Sequence, residues 1–173
     1  SVENIAAIAE VLSDYPDIPL VLDPVLASGR GDALASDDMI PAMRELLVPQ
    51  ATIITPNSIE ARRLVQEENE DDIALDECAR RLLDNRCEYV LVTGTHENTG
   101  QVINTLYGEE GVVRADRWER LSGSYHGSGC TLASAIAATM ANGLDIPEAV
   151  REAQEYTWQS LQAGFRPGMG QFI

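Results

Sequence analysis

The stretch HGSGCTLASAI, residues 126–136, joins a glycine-rich turn directly to the start of a helical pattern. Gly127 and Gly129 let the backbone take conformations that other residues disfavour, so successive N–H groups can converge on one point. The helix that follows would add the positive end of its dipole at that point. We therefore predict an anion site at this turn, with Cys130 beside it and the pKa of the Cys130 thiol lowered by the helix.

Outward from this element, short apolar runs alternate with helical patterns. Three such runs read as buried strands, each ending in polar residues, at residues 19–22, 51–54 and 88–92. Residues 101–117 read as a β-hairpin, and two helices follow it. This alternation predicts an α/β fold, with a mostly parallel central sheet and helices on both faces. Ligands of such sheets bind at the carboxyl ends of the strands.

The composition restricts the classes of partner. The 173 residues carry 28 acidic and 12 basic side chains, a formal net charge of −16, and every basic residue is arginine. An acidic surface disfavours nucleic acids and anionic membranes. A high-salt cytoplasm and GC-rich codon usage explain the absence of lysine equally well.

Three cysteines without a C-x-x-C pair indicate a reducing cytoplasm, and neither a signal peptide nor a membrane-spanning run is recognised in the sequence.

Asn57 and Glu60 follow the second predicted strand, and their spacing is typical of a capping box at the start of a helix. A carboxylate at a strand end could instead face a ligand, and the sequence leaves both interpretations open. His96 and His126 lie in predicted loops without a third ligand nearby, which disfavours a zinc site.

Four motifs, in this order, resemble the ribokinase-like small-molecule kinases, and most closely the hydroxymethylpyrimidine and phosphomethylpyrimidine kinases of thiamine biosynthesis. They are residues 21–32, 54–60, 90–96 and 126–137. The resemblance implies a three-layer αβα ribokinase-like fold, with residues 1–173 as one domain. It also implies that this domain is the C-terminal, nucleotide-binding part of a longer kinase, because the family's opening strands, substrate lid and much of the pyrimidine pocket have no counterpart here.

The activity implied by the resemblance is ATP-dependent phosphorylation of 4-amino-5-hydroxymethyl-2-methylpyrimidine and then of its monophosphate. The implied cofactors are ATP and Mg²⁺, and the implied partner is a small pyrimidine, with no nucleic acid and no membrane. A cytoplasmic homodimer is expected by the same resemblance.

The glycine turn matches the family's anion hole for the transferred phosphoryl group, through Gly127, Ser128, Gly129 and Cys130. Most ribokinase-like enzymes have an aspartate at the Cys130 position, which acts as base on the substrate hydroxyl. Cysteine is typical of the pyrimidine kinases, so the resemblance implies that Cys130 is the base. Simple packing of Cys130 under the helix is the alternative.

The other site residues also follow from the resemblance. Asp23 and Glu60 match acids associated with Mg²⁺ and phosphates, and two carboxylates suffice because Mg²⁺ keeps several waters. Thr93 replaces a lysine of the family near the ATP phosphates, and Arg30 is a candidate to substitute for that lysine. The expected nucleotide-binding residues are Asp23, Asn57, Glu60, Thr93, Gly94, His96 and Gly129.

Three other functions remain open at this point. A pyridoxal kinase of the same superfamily would share the fold and a substrate of similar shape. A non-catalytic pyrimidine-binding or regulatory relative would explain the missing lysine. A cysteine acyl-transferase would use Cys130 with His126, since the glycine turn superficially resembles a nucleophile elbow.

Overall fold

The computed structural model describes residues 1–26, 35–67, 70 and 72–173. Within these residues five strands form one sheet, in the order of the sequence. The strands are β1 (Val21–Leu22), β2 (Ile53–Ile54), β3 (Tyr89–Val92), β4 (Gln101–Gly108) and β5 (Gly111–Glu119). Strands β1 to β3 pair in parallel, whereas β3, β4 and β5 pair antiparallel. The predicted α/β fold is confirmed, and the sheet is mixed because the predicted hairpin adds two antiparallel pairings.

The helices within the described residues are α1 (Val2–Ser13), α2 (Met39–Leu46), α3 (Ser58–Val65), α4 (Leu75–Asp84), α5 (Ser128–Ala141) and α6 (Ile146–Gln162), with a 3₁₀ turn at Val48–Gln50. The two helices predicted after the hairpin are confirmed as α5 and α6. Asp145 caps α6, because its Oδ1 accepts from the backbone N–H of Glu148 at 2.9 Å. None of the helices in the described ranges is long and apolar enough to cross a membrane.

Two apolar cores lie on opposite faces of the sheet. Neighbouring residues of one strand alternate between them, so Ile54 and Val90 face one core while Ile53 and Leu91 face the other. Helices α1 to α4 cover the first face, and α5 and α6 cover the second. The layers are therefore helix, sheet and helix, as the resemblance implies.

The glycine-rich end of the chain packs beside the segment that leads into α5. Tyr125 and Phe172 form an isolated parallel bridge. The backbone N–H of His126 donates to the Phe172 carbonyl, and the Phe172 N–H donates to the Ser124 carbonyl, both at 2.9 Å. The ring of Phe172 also lies 5.3 Å from the ring of Tyr125, measured between centroids. These contacts hold residues 124–126, which lead into the glycine turn, against Phe172.

Candidate active site

Polar residues collect where the three parallel strands end. Asp23 directly follows β1, Asn57 lies at the start of α3 after β2, and Thr93 directly follows β3. Asn57 and Thr93 are joined by an isolated parallel bridge. The predicted polar residues at the carboxyl ends of the three strands therefore lie at one edge of the sheet.

Helix α5 begins at the same edge, with the backbone geometry that the glycine turn predicts. Gly127 caps the helix in the left-handed region, at φ 80°, which glycine adopts without strain. The first helical hydrogen bond runs from the Thr131 N–H to the Gly127 carbonyl at 2.8 Å. The N–H groups of Ser128, Gly129 and Cys130 donate to no other residue among those described, so they are available to an anion.

Asp23 and the start of α5 are in direct proximity. A Cβ built on Gly129 would lie 3.7 Å from Oδ2 of Asp23. The thiol of Cys130 is exposed in the same turn, close enough for the Asp23 charge to affect its pKa. The structure thus places the Asp23 carboxylate beside the first turn of α5, which carries this thiol and backbone amides without an acceptor in another described residue.

The prediction that the helix lowers the pKa of Cys130 is wrong. Removal of water around the thiol raises its pKa above the ordinary value of 9.0, and the negative charge and hydrogen bond of Asp23 raise it further. Both effects disfavour a thiolate. Burial also raises the pKa of Asp23 itself, against the smaller effect of the hydrogen bond from Cys130. The thiol is therefore protonated at neutral pH in the free site.

Glu60 forms the capping box, as one of the two sequence interpretations predicts. Its Oε2 accepts from the N–H of Asn57 at 3.0 Å, and Oδ1 of Asn57 accepts from the N–H of Glu60 at 2.9 Å. Oε1 of Glu60 accepts from the N–H of Leu26 at 3.2 Å, in the loop after β1. One buried carboxylate therefore ties the start of α3 to the loop that carries Asp23.

Burial raises the pKa of Glu60, against the effect of the two amides that it holds, and the charge of Asp23 raises it further. No group of three or more His, Cys, Asp or Glu side chains within the described residues could enclose a metal ion. Asp23 and Glu60 nevertheless fit Mg²⁺, which typically takes one or two carboxylates and completes its shell with water and substrate phosphates.

The segment Thr93–Gly94 is held tightly against its neighbours. The N–H of Thr93 donates to the Pro56 carbonyl at 2.9 Å, and the Thr93 carbonyl accepts from the N–H of Ser58 at 3.2 Å. A Cβ on Gly94 would lie 2.2 Å from the carbonyl oxygen of Ile103, so no larger residue fits. The glycine is needed for this close approach of two strands.

The structure does not bring the histidines into the site through hydrogen bonds. His96 and His126 are both exposed, and neither ring is hydrogen-bonded to another described residue. Among the described residues no hydrogen bond joins the His126 ring to Cys130, and the charges that act on the thiol are those of Asp23 and Glu60, which argues against the acyl-transfer alternative. Arg30, the candidate substitute for the family lysine, lies outside the described residues.

Sequence reasoning missed three residues that fix the turn after β3. Asn104 and Gln154 are buried polar residues, 8% and 3% exposed. Asn104 interrupts the apolar inward face of β4, and Gln154 follows the apolar residues Ala149, Val150 and Ala153 on the inward face of α6. A long polar side chain at such a position is the signal that could have found each of them. Arg120 donates to three carbonyls of one turn, Thr95 at 2.8 Å, Glu97 at 3.0 Å and Thr99 at 3.2 Å, and nothing in the sequence marks it.

Comparison with known proteins gives consistent results. The sequence profile of the phosphomethylpyrimidine kinase family matches residues 1–173. A hydroxymethylpyrimidine/phosphomethylpyrimidine kinase of Streptomyces coelicolor is 37% identical over 172 residues, which are 98% of this chain and 62% of that protein. The chain thus spans less than two thirds of that relative.

Solved structures resemble the chain as well. A pyridoxal kinase of Bacillus subtilis in an ADP complex has a TM-score of 0.84 and 28% identity, covering 97% of this chain and 64% of its own. A phosphomethylpyrimidine kinase of Clostridium difficile has a TM-score of 0.74 and 29% identity, and the match covers 92% of this chain and 64% of that protein.

Proposed function

Since the chain belongs to the phosphomethylpyrimidine kinase family, we propose that it transfers the γ-phosphoryl group of ATP to 4-amino-5-hydroxymethyl-2-methylpyrimidine and then to the resulting monophosphate. The observation that carries the proposal is the junction of Asp23 with the start of α5. There a proton acceptor lies beside a helix start that carries a thiol and three amides with no acceptor in another described residue. Phosphoryl transfer needs little more from a protein than positioning and stabilisation of charge.

The amides of Ser128, Gly129 and Cys130 would receive the charge that develops on the transferred phosphoryl group. They lie at the N-terminus of a helix of 14 residues, whose dipole favours negative charge at that end. The αL conformation of Gly127 sets the direction of the turn before them. These groups are fixed before substrate binds, so their reorientation costs nothing during the reaction.

Cys130 is the proposed base, and its proton must leave before it can act. As Sγ takes the proton of the substrate hydroxyl, the thiol proton would pass to the neighbouring Asp23 carboxylate. The substrate oxygen then bonds to phosphorus, the bond from phosphorus to the ADP oxygen breaks, and charge and protons balance.

Asp23 and Glu60 would hold Mg²⁺ through water, together with the nucleotide phosphates. When bound, Mg²⁺ neutralises charge on the β- and γ-phosphates. Asn57 holds the start of α3 beside these acids, and the turn of Thr93, Gly94 and His96 would face the phosphates. Because Thr93 stands where the family has lysine, backbone groups rather than a lysine ammonium would make the contact there.

Phosphorylation of pyridoxal is a second candidate activity. It is supported by the TM-score of 0.84 to a pyridoxal kinase at 28% identity. Incubation of the full natural chain with ATP, Mg²⁺ and either hydroxymethylpyrimidine or pyridoxal, with product identified by mass, distinguishes the two. We expect faster turnover of the pyrimidine, and faster turnover of pyridoxal would replace the proposed function by the second one. Binding of the pyrimidine without any ATP turnover would favour the non-catalytic alternative.

A homodimer in the cytoplasm remains part of the proposal by resemblance.

A further inference from the structure

Buried hydrogen bonds connect the turn after β3 to helix α6, on the other side of the sheet. The N–H of Gly94 donates to Oδ1 of Asn104 at 3.1 Å, and Nδ2 of Asn104 donates to Oε1 of Gln154 at 2.9 Å. Nε2 of Gln154 donates to Oδ2 of Asp116 at 2.9 Å. Because Asn104 and Gln154 are 8% and 3% exposed, water cannot readily replace these bonds.

The direction of this chain of hydrogen bonds is fixed at its far end. Asp116 accepts two hydrogen bonds from the Arg114 guanidinium, at 2.8 Å and 2.9 Å, and an ionised carboxylate can only accept. The indole N–H of Trp118 can only donate, and it donates to Oε1 of Gln154 at 3.0 Å. The Gln154 amide therefore has one favourable orientation, with Nε2 toward Asp116.

That orientation is passed on to the turn. Oε1 of Gln154 requires a donor from Asn104, which leaves Oδ1 of Asn104 facing the N–H of Gly94. The carbonyl at the other end of the same peptide unit, that of Thr93, accepts from the N–H of Ser58. Both polar groups of the peptide between Thr93 and Gly94 are thus held, and the plane of this peptide is fixed.

We propose that Asn104 and Gln154 are positioning residues for nucleotide binding, acting through the orientation of the Thr93–Gly94 peptide. The inference rests on the proposed function, because that function assigns this turn to the ATP phosphates. Neither side chain touches the nucleotide in this proposal. Their effect is to hold backbone groups in place before binding, which saves the free energy of ordering them.

The test replaces donors and acceptors while the shape of the side chains is conserved. Gln154→Glu puts a second carboxylate against Asp116 and removes the donor between them. Adding Asp116→Asn removes one of the two facing carboxylates and leaves a single negative charge beside Arg114. Because Oδ2 of Asp116 accepts from both Gln154 and Arg114, the new NH₂ group can pair with the carboxylate introduced at position 154 only by giving up the bond from Nε of Arg114. Gln159→Glu is the matched control, because Gln159 is exposed on the same helix.

The dissociation constant of MgADP, measured by calorimetric titration of the full natural chain, is the main readout. We expect Gln154→Glu to weaken binding about tenfold, the equivalent of one hydrogen bond, and the double variant to recover part of that loss because the repulsion between two carboxylates is removed. The control should bind like the wild type. An unchanged dissociation constant in Gln154→Glu, or equal weakening in the control, would overturn the proposal.

Hydrogen exchange at the Gly94 amide tests the same coupling without a ligand. The amide should exchange faster in Gln154→Glu than in the wild type and the control. Equal exchange in Gln154→Glu and the wild type would also overturn the proposal. If the wild type binds MgADP but phosphorylates neither pyrimidine nor pyridoxal, the proposed function fails while both measurements still decide this inference.

Discussion

The carboxylate of Asp23 lies against the first turn of α5, where a Cβ on Gly129 would be 3.7 Å from Oδ2 of Asp23, although the two residues are far apart in the sequence. Asp23 is at the carboxyl end of a strand, and Cys130 follows Gly129 in the first turn of α5. Loss of solvent raises the pKa of the Cys130 thiol and the negative charge of Asp23 raises it further, where a helix start alone would lower it. A base at this position must therefore work with its neighbouring acid rather than as a preformed thiolate.

Asp23→Asn should lower the pKa of the Cys130 thiol. The substitution removes a negative charge and a hydrogen bond that both raise this pKa, while the effect of lost solvent remains. In metal-free buffer, the pH profile of alkylation by iodoacetamide should move to lower pH than in the wild type. Cys78 and Cys87 are buried, and burial raises the pKa of Cys87 to about 12, so neither should compete for the reagent. An unshifted profile would show that Asp23 does not control the thiol.

The same variant should change how stability depends on pH. Burial raises the pKa of Asp23 above its ordinary value of 3.8, so the native state binds more protons than the unfolded state just above that value. The free energy of unfolding contributed by Asp23 therefore falls as pH rises through its native pKa. Urea unfolding between about pH 4 and pH 7 should show a smaller decline in Asp23→Asn than in the wild type. An equal or steeper decline in the variant would contradict the direction of the shift.

Glu60→Gln should destabilise the protein by about 1–2 kcal/mol. Each Glu60 oxygen accepts a backbone N–H, from Asn57 and Leu26, and the glutamine NH₂ would face one of these donors instead. Urea unfolding gives the change in free energy. Glu148→Gln, in the first turn of α6 but exposed, is the matched control and should change stability little. Equal losses in the two variants would mean that the contacts of Glu60 have no special importance.

Arg120→Met should loosen the turn of residues 95–99. The arginine donates to the carbonyls of Thr95, Glu97 and Thr99, and methionine can donate to none of them. Amide exchange in the turn should accelerate, and the KM for MgATP should rise about fivefold, with kcat less affected. Arg117→Met, an exposed change on the neighbouring strand β5, should leave both quantities unchanged. A similar effect of the two substitutions would indicate a general loss of positive charge.

The architecture of this chain could be predicted from the sequence because its patterns are local. Alternating apolar runs and helical patterns gave the layers, the Asn57 and Glu60 spacing gave a capping box, and the glycine turn gave the start of α5. The carboxyl ends of parallel strands lie at one edge of any such sheet, which is why polar residues at the ends of β1, β2 and β3 indicated a ligand site at that edge.

The electrostatics and the buried network could not be predicted in the same way. The direction in which the pKa of the Cys130 thiol shifts depends on loss of solvent and on the nearby charge of Asp23. Both are determined by the packing of α5 against β1. Asn104 and Gln154 meet across the interface between β4 and α6, and no local pattern pairs them. Arg120 donates to backbone carbonyl groups. Because every residue has such a group, the sequence does not show which residues Arg120 contacts.

The most direct test of the central claim is ATP-dependent phosphorylation of hydroxymethylpyrimidine by the full natural chain, comparing the wild type with Cys130→Ala. The account predicts that the wild type forms the monophosphate and then the diphosphate. It also predicts that Cys130→Ala lowers kcat by about a hundredfold or more, because the base is lost, while the KM for MgATP changes little. Absence of phosphorylated product from the wild type, or full activity in Cys130→Ala, would contradict it.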